Sequence, residues 1–188
     1  MMGSPTALAD PEVETKLRLA AVSHGLYIPS GALWGGEDIR KMAERGSLRG
    51  LRVTMRKHPS SFKLEGDLKA RNNSVGSTAS VLYEGPVRQL CPLAPSNVNT
   101  MAAAAVAATN LGFDKTLGRL ISDPAIPNWH VVEVEVEGPV GPGGESFTLK
   151  TVRNNPAAIG AVTGSATLAS FLSSLVRVGG KGAGFHLC

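Results

Sequence analysis

Residues 125–140 read AIPNWHVVEVEVEGPV, and this stretch decides the kind of sheet that the chain builds. From Val131 to Glu137 apolar and acidic residues alternate, and a period of two predicts a half-buried β-strand. Residues 139–144 are rich in glycine and proline and predict a hairpin loop, after which SFTLKTV predicts the returning strand. We therefore expect an antiparallel hairpin whose acidic side faces solvent, rims a cationic pocket or meets a second copy of the chain.

The first 57 residues show the order of helices and strands that is typical of an α/β sheet. Residues 11–22 and 37–46 predict helices, and the apolar run at 25–29 predicts a buried strand. Residues 47–58 alternate apolar and basic residues and predict a second strand. We expect the two strands to be parallel neighbours that are joined by a right-handed crossover.

The whole chain is predicted to be an α/β protein in which a mixed-sheet α+β domain follows the trailing part of a parallel sheet. An alanine-rich helix is expected near residues 95–112, between the two parts of the mixed sheet. The expected units are a trailing α/β piece at 1–57, a mixed domain at 58–155, a long helix at 156–178 that packs back on the sheet, and a flexible tail at 179–188.

Composition narrows the classes of partner. The chain has 188 residues and a net charge of +4, and it carries no RNA- or DNA-binding signature, so we expect no nucleic acid partner. A mild positive charge suits an anionic small substrate or a phosphate-bearing cofactor. Cys91 and Cys188 fit no metal-ligand spacing and are expected to be reduced thiols of a cytoplasmic protein. No apolar run reaches the ~18 residues that a membrane helix needs, so no membrane contact is expected.

His130 stands at the start of the alternating strand and has two interpretations. A histidine titrates near neutral pH and suits general acid–base catalysis. A single histidine at the end of a strand is also an ordinary structural residue that packs against a loop. The residue pattern alone leaves both interpretations open.

Two further stretches are candidates for ligand contact. SGALWGG, residues 30–36, follows a buried strand, and its small residues either allow close approach of a ligand or form a plain turn. PSNVNT, residues 95–100, places Asn97 and Asn99 at the start of a helix, where an amide either caps the helix or binds a polar group such as a carboxamide. A G-x-G-x-x-G phosphate-binding fingerprint is not present in these 188 residues.

Four stretches in this order resemble the L-aspartate dehydrogenase family, and the match looks specific to the animal aspartate dehydrogenase domain-containing members. They are LYIPSGALWGGEDI, APSNVNTMAAAAVAA, DPAIPNWHVVEVEVEG and NNPAAIGAVTGSATLASFL. The resemblance covers roughly residues 10–177. In contrast to the family pattern, the chain begins where a dinucleotide-binding Rossmann domain would be more than half finished, and GALWGG looks one residue longer than the usual loop.

The resemblance implies roles for individual residues. His130 matches the catalytic histidine, and Ala32, with Gly31 beside it, matches a cofactor-contacting loop. Asn99 matches a cofactor-contacting asparagine, and Asn97 is the nearby alternative. No metal is implied. Cationic side chains must bind the substrate carboxylates, and Arg56, Lys57 and Arg153 are unranked candidates.

The resemblance also implies a reaction, a cofactor and an assembly. The expected activity is oxidative deamination of L-aspartate by NAD or NADP to iminosuccinate, oxaloacetate and ammonia, in a homodimer. Residues 1–57 would be the C-terminal remnant of the NAD(P)-binding domain. We expect this chain on its own to be weak or inactive, because the pyrophosphate-binding segment is missing from it. The alternative is a non-catalytic dimerisation or binding module derived from that enzyme.

Overall fold

The computed structural model describes residues 1–188 and contains seven α-helices and seven β-strands. Short 3-10 helices lie at Pro5–Ala9 and Pro59–Ser61. The helices are α1 Pro11–Ala20, α2 Gly36–Glu44, α3 Gly66–Asn73, α4 Val87–Leu90, α5 Asn99–Ala107, α6 Gly112–Lys115 and α7 Thr167–Arg177. The strands are β1 Gly25–Ile28, β2 Gly50–Lys57, β3 Ser80–Pro86, β4 Leu117–Ser122, β5 Trp129–Val140, β6 Ser146–Pro156 and β7 Gly184–Leu187. None of the helices has the length and apolar character that a membrane span requires.

A five-stranded mixed sheet is the centre of the fold. Its strand order is β3-β4-β2-β5-β6, with β2 parallel to β4 and the other pairs antiparallel. The predicted hairpin is present as β5 and β6. The α/β class and the mixed sheet are confirmed.

Helix α5 fills the core between the mixed sheet and the rest of the chain. Residues Thr100 to Ala107 are all buried, and the helix contacts β2 of the mixed sheet as well as α2 and β7. A helix that is apolar on every side is stable only when it is enclosed. Its run of alanines keeps the helix narrow enough to lie between two layers.

The two faces of the mixed sheet differ in charge. Val132, Val134 and Val136 of β5 are buried in the apolar core. On the opposite face Glu133 and Glu135 form ion pairs with basic side chains of neighbouring strands, Lys150 lying 2.6 Å from Glu133 and Arg52 lying 3.7 Å from Glu135. The acidic side of the strand is therefore paired with basic side chains rather than simply solvated.

The expected neighbours β1 and β2 lie in different sheets, so that prediction is wrong. β1 pairs in parallel with β7, whereas β2 lies between β4 and β5. The physical reason is the alternation of apolar and basic residues in β2, which gives one apolar and one charged face. A parallel strand that is covered by helices on both faces has apolar residues on both. The strand at 50–57 thus belongs to the mixed sheet, and the domain division itself stays a prediction.

The end of the chain differs from its predicted form in two ways. The expected helix over 156–178 is limited to α7, because β6 continues to Pro156 and residues 157–166 are irregular. Gly160, with φ +74°, adopts a conformation that a helix excludes. The α7 helix donates hydrogen bonds from Ser170 to the carbonyl oxygen of Gly31, after β1, and from Ser174 to that of Cys188, after β7. The expected flexible tail contains β7.

Candidate active site

A cleft lies where the first loop, the start of α5, the mixed sheet and residues 162–170 meet. All five residues predicted as site residues line this one cleft: Gly31, Ala32, Asn97, Asn99 and His130. They come from three separate segments of the sequence, the loop after β1, the residues around the start of α5, and the start of β5. Their roles remain a prediction, but their convergence is a structural fact.

His130 begins the buried side of β5 and is only 4% exposed. It lies opposite Lys57 of β2 and opposite Asn155 of β6. The Asn155 side-chain amide donates to the His130 carbonyl oxygen at 3.1 Å and so holds the strand ends together. The Nε2 atom of His130 is buried and has no hydrogen-bond partner in the chain. A buried polar atom without a partner inside a cleft is a group that a ligand can satisfy.

The His130 imidazole is neutral at physiological pH. Burial and, next, the positive charge of Lys57 lower its pKa from 6.5 to about 4, while a hydrogen bond to the backbone of Ala161 acts in the opposite direction. A neutral imidazole has one ring nitrogen that can accept a proton. The side chain is therefore available as a base.

Lys57 is a buried cation in the same cleft. Its residue is 3% exposed, and Nζ donates to the Val162 carbonyl oxygen at 2.8 Å. Burial lowers the pKa of the ammonium group from 10.5 to about 8, so it is still mostly charged at pH 7. The Phe62 ring lies 5.9 Å from Nζ, and no carboxylate pairs with it.

The structure distinguishes among the three cationic side chains that were candidates for binding the substrate carboxylates. Lys57 and Arg153 line the cleft, whereas Arg56 does not. Arg56 lies on the opposite face of the sheet, 3.8 Å from a carboxylate oxygen of Asp123 and 3.9 Å from one of Glu133. No acidic residue lines the cleft, so its charged groups favour an anion.

The two asparagines have different environments. Asn97 is 2% exposed, accepts from the Lys63 amide at 2.9 Å and donates to the Ser61 carbonyl oxygen at 3.3 Å. Asn99 accepts from the Ser4 hydroxyl at 2.8 Å, and its side-chain nitrogen makes no hydrogen bond in the chain. The N-cap of α5 is Val98, so helix capping explains neither amide. Asn97 joins segments of the protein, and Asn99 retains a free donor.

The loop after β1 presents its backbone to the cleft. Gly31 has φ +60°, a conformation that suits glycine, and open space surrounds the position where a Cβ atom would stand. The Ser170 hydroxyl donates to the Gly31 carbonyl oxygen at 2.9 Å and joins α7 to this loop. The loop can therefore accept a flat group close to the main chain.

The sequence interpretation missed one wall of the cleft. Val162, Thr163 and Gly164 lie in the irregular segment that was expected to be helical. Gly160 and Gly164, within a few residues of Pro156, are the signal that could have indicated a loop there. The chain has no cluster of side chains that could hold a metal ion, and its two cysteines are buried and unpaired.

Comparison with known proteins gives a consistent family. A family model described as "Aspartate dehydrogenase, C-terminal" matches residues 38–174. An aspartate dehydrogenase domain-containing protein of Xenopus tropicalis is 59% identical over 191 residues, which cover 100% of this chain and 67% of that protein. An L-aspartate dehydrogenase of Methanococcoides burtonii is 33% identical over 155 residues, 81% of this chain and 54% of that protein.

A solved structure has the same fold. The crystal structure of aspartate dehydrogenase from Thermotoga maritima matches 94% of this chain and 64% of that chain, with a TM-score of 0.64 and 18% identity. At that identity the likeness concerns the fold. The chain spans about two thirds of the length of the animal relatives that it matches.

Proposed function

The chain belongs to the aspartate dehydrogenase family, and we propose that it takes part in the oxidation of L-aspartate by NAD or NADP. In this reaction the α-carbon of aspartate loses a hydride to give iminosuccinate, which water converts to oxaloacetate and ammonia. The observation that carries the proposal is the buried His130 imidazole, which has an unpartnered Nε2 atom and lines a cleft with two cations and no acids.

The residues of the cleft fit the nicotinamide end of such a cofactor. Asn99 has a free side-chain donor, and the loop at Gly31 and Ala32 leaves open space beside its backbone. A carboxamide needs a donor and an acceptor, and an asparagine can offer both. When bound, the cofactor supplies the hydride acceptor.

His130 is proposed as the acid–base residue. The neutral imidazole accepts a proton at Nε2, either from the amino group of aspartate or from the water that attacks the imine. Burial and the positive charge of Lys57 keep the imidazole neutral until a substrate charge or proton reaches it. Asn155 fixes the strand end from which this side chain projects.

The activity of these 188 residues alone is proposed to be low. They contain no glycine-rich fingerprint for the pyrophosphate, and contacts to remote parts of a cofactor contribute to the chemical step. Residues 1–57 are proposed as part of the NAD(P)-binding domain, with β2 contributed to the mixed sheet. Cytoplasmic location is proposed from the two unpaired cysteines, which suit a reducing compartment.

A homodimer is proposed through the charged face of the mixed sheet. This face carries both signs of charge, including Arg52, Glu84 and Glu135, and is therefore complementary to a copy of itself about a two-fold axis. Val152 on the same face is 54% exposed. The same surface supports the second candidate function, a non-catalytic dimerisation module. A strict monomer in light scattering would contradict both the dimer and the module.

Hydride transfer can be tested with α-deuterated L-aspartate. We expect the chain, incubated with this substrate and NAD or NADP, to form deuterated reduced cofactor that mass spectrometry detects even at low turnover. His130→Ala should abolish the signal. A folded wild-type chain that produces no deuterated cofactor would leave the dimerisation module as the better description.

A further inference from the structure

Two cations flank His130 on the covered face of the mixed sheet. His130 and Val132 point to the same face of β5, because side chains alternate along a strand. Their cross-strand partners include Lys57, opposite His130 on β2, and Arg153, opposite Val132 on β6. Residues that lie opposite each other in an antiparallel pair share a face. The two cations therefore stand on either side of β5, with the imidazole between them.

We propose, resting on the function proposed above, that Lys57 and Arg153 each bind one carboxylate of the substrate and so select a dicarboxylate over a monocarboxylate. The strands lie about 4.8 Å apart, so the two cations start from backbones separated by roughly 10 Å. Long side chains can converge from that separation on the two ends of a four-carbon diacid. The reacting carbon is then held next to His130.

Both cations lack a carboxylate partner within the chain. Lys57 has one hydrogen bond, to the Val162 carbonyl oxygen, and Arg153 makes no ion pair or side-chain hydrogen bond. The other arginines of the mixed sheet differ, since Arg52, Arg56 and Arg119 all lie near acidic side chains. Buried charges in proteins are normally paired, so an unpaired ammonium that is 3% exposed indicates a partner from outside the chain.

The cleft contains no carboxylate of the chain that could compete with an anionic ligand for the two cations. Its lining includes Lys57, Arg153 and His130 as the only ionisable side chains. An anion that reaches the ammonium group also offsets the charge that lowers the pKa of His130. Binding of the carboxylate would thus make the imidazole a stronger base at the moment when substrate is present.

The test measures binding of succinate and of butyrate by calorimetry, with and without NADH. These acids have the same number of carbons and differ in the second carboxylate. We expect succinate to bind at least tenfold more tightly than butyrate, because truncating a buried charge contact typically costs more than the ~1.4 kcal/mol that a tenfold change represents. Equal affinities, or no succinate binding by the wild-type chain, would overturn the proposal.

Variants locate the two subsites. Lys57→Met and Arg153→Met should each lower succinate affinity at least about tenfold and remove most of the preference over butyrate. Lys57→Arg keeps the charge and should retain part of the preference. Lys69→Met, on the exposed side of α3, is the matched control and should bind succinate like the wild type. Thermal unfolding of each variant checks that the fold is intact, and unchanged affinity in a folded Lys57→Met chain would overturn the role of Lys57.

The outcome is separable from that of the proposed function. If deuterium passes from aspartate to the cofactor and the variants still bind succinate normally, the dehydrogenase activity is supported and the two-cation site is contradicted. If succinate binding depends on Lys57 and Arg153 but no deuterium is transferred, the dicarboxylate site is supported and the proposed aspartate oxidation is contradicted.

Discussion

Lys57 and His130 lie directly opposite each other on the antiparallel strands β2 and β5, and both are buried in one cleft. Side chains at opposite positions have Cβ atoms about 4.5–5.5 Å apart. The positive charge of Lys57 is one cause of the lowered pKa of His130. The pairing of β2 with β5 thus places a base, His130, beside an anion-binding group, Lys57.

The stability of the chain should depend on pH through His130. Its folded pKa, about 4, lies below the value of 6.5 for an unperturbed histidine. Between these values the unfolded chain binds a proton that the folded chain does not, so stability is lost as pH falls from 6.5 towards 4. We expect a loss on the order of 1–2 kcal/mol in urea unfolding, allowing for water in the cleft.

His130→Gln should remove that part of the pH dependence. His24→Gln, at an exposed site, serves as the control and should keep it. The assignment would be wrong if the two variants showed the same slope of unfolding free energy between pH 6.5 and pH 4.

Lys57→Met should leave the chain as stable at pH 7 or make it more stable by up to ~2 kcal/mol. The pKa of Lys57 is lowered from 10.5 to about 8 because burial disfavours the charged form. In the wild type that cost is present in full below about pH 8 and disappears as pH rises to 10.5, so the free energy of unfolding rises over this window. The Lys57→Met variant should lack this rise. Replacing a buried charge by an apolar side chain of similar size is often neutral or stabilising.

Urea unfolding at pH 7 and at pH 9 measures this effect. A loss of more than ~1 kcal/mol at pH 7 would mean that the hydrogen bond to Val162 contributes more to folding than the buried charge costs.

The two asparagines of the cleft should respond differently to alanine. Asn97→Ala leaves the Lys63 amide and the Ser61 carbonyl without their partner and should lower the free energy of unfolding by about 1–3 kcal/mol. Asn99→Ala removes one exposed contact to Ser4 and should cost less than about 1 kcal/mol. Once the NADH affinity is corrected for the fraction of folded protein, we expect only Asn99→Ala to lower it.

Tryptophan fluorescence is the measurement for this pair, because Trp34 follows Ala32 by two residues, Trp129 directly precedes His130, and both indoles are exposed. Titration with NADH or NADPH should quench it in a saturable manner. If Asn97→Ala weakened binding in the folded protein and Asn99→Ala did not, Asn97 would be the cofactor contact.

The narrowness of α5 should be required for the packing of the two layers. Ala104 is fully buried, so Ala104→Leu inserts a larger side chain into a filled core and should cost roughly 1–3 kcal/mol. Ala70→Leu, on the exposed side of α3, should change stability by less than about 0.5 kcal/mol. Equal denaturation midpoints for the two variants would show that the layers can separate to accept leucine.

The sequence predicted those parts of the fold in which the pattern has one structural solution. The alternation at 131–137 requires a strand with one buried face, and β5 confirms it. The alanine-rich helix was predicted for the same reason, because no other element buries such a run. The ordered motifs also grouped Ala32, Asn99 and His130, and the structure brings all three into one cleft.

The sequence predictions that were wrong or incomplete concern properties that a single segment of the chain does not determine. Arg56 and Lys57 are adjacent in β2 and point to opposite faces, and only the position of α5 decides which of them meets the cleft. The pairing of β7 with β1 depends on contacts between the two ends of the chain. The predicted helix over 156–178 is too long, because small apolar residues also suit a helix. Gly160 instead adopts a positive φ, and Val162, Thr163 and Gly164 form a wall of the cleft.

The central claim is that His130 is the acid–base residue of an aspartate-oxidising site. The direct measurement is the rate of L-aspartate-dependent reduction of NAD or NADP by wild-type chain, His130→Gln and the His24→Gln control. We predict that His130→Gln loses about 10²–10⁴-fold in rate while its cofactor binding and unfolding midpoint at pH 7 stay close to wild type. A His130→Gln chain that oxidises aspartate as fast as the control would contradict the claim.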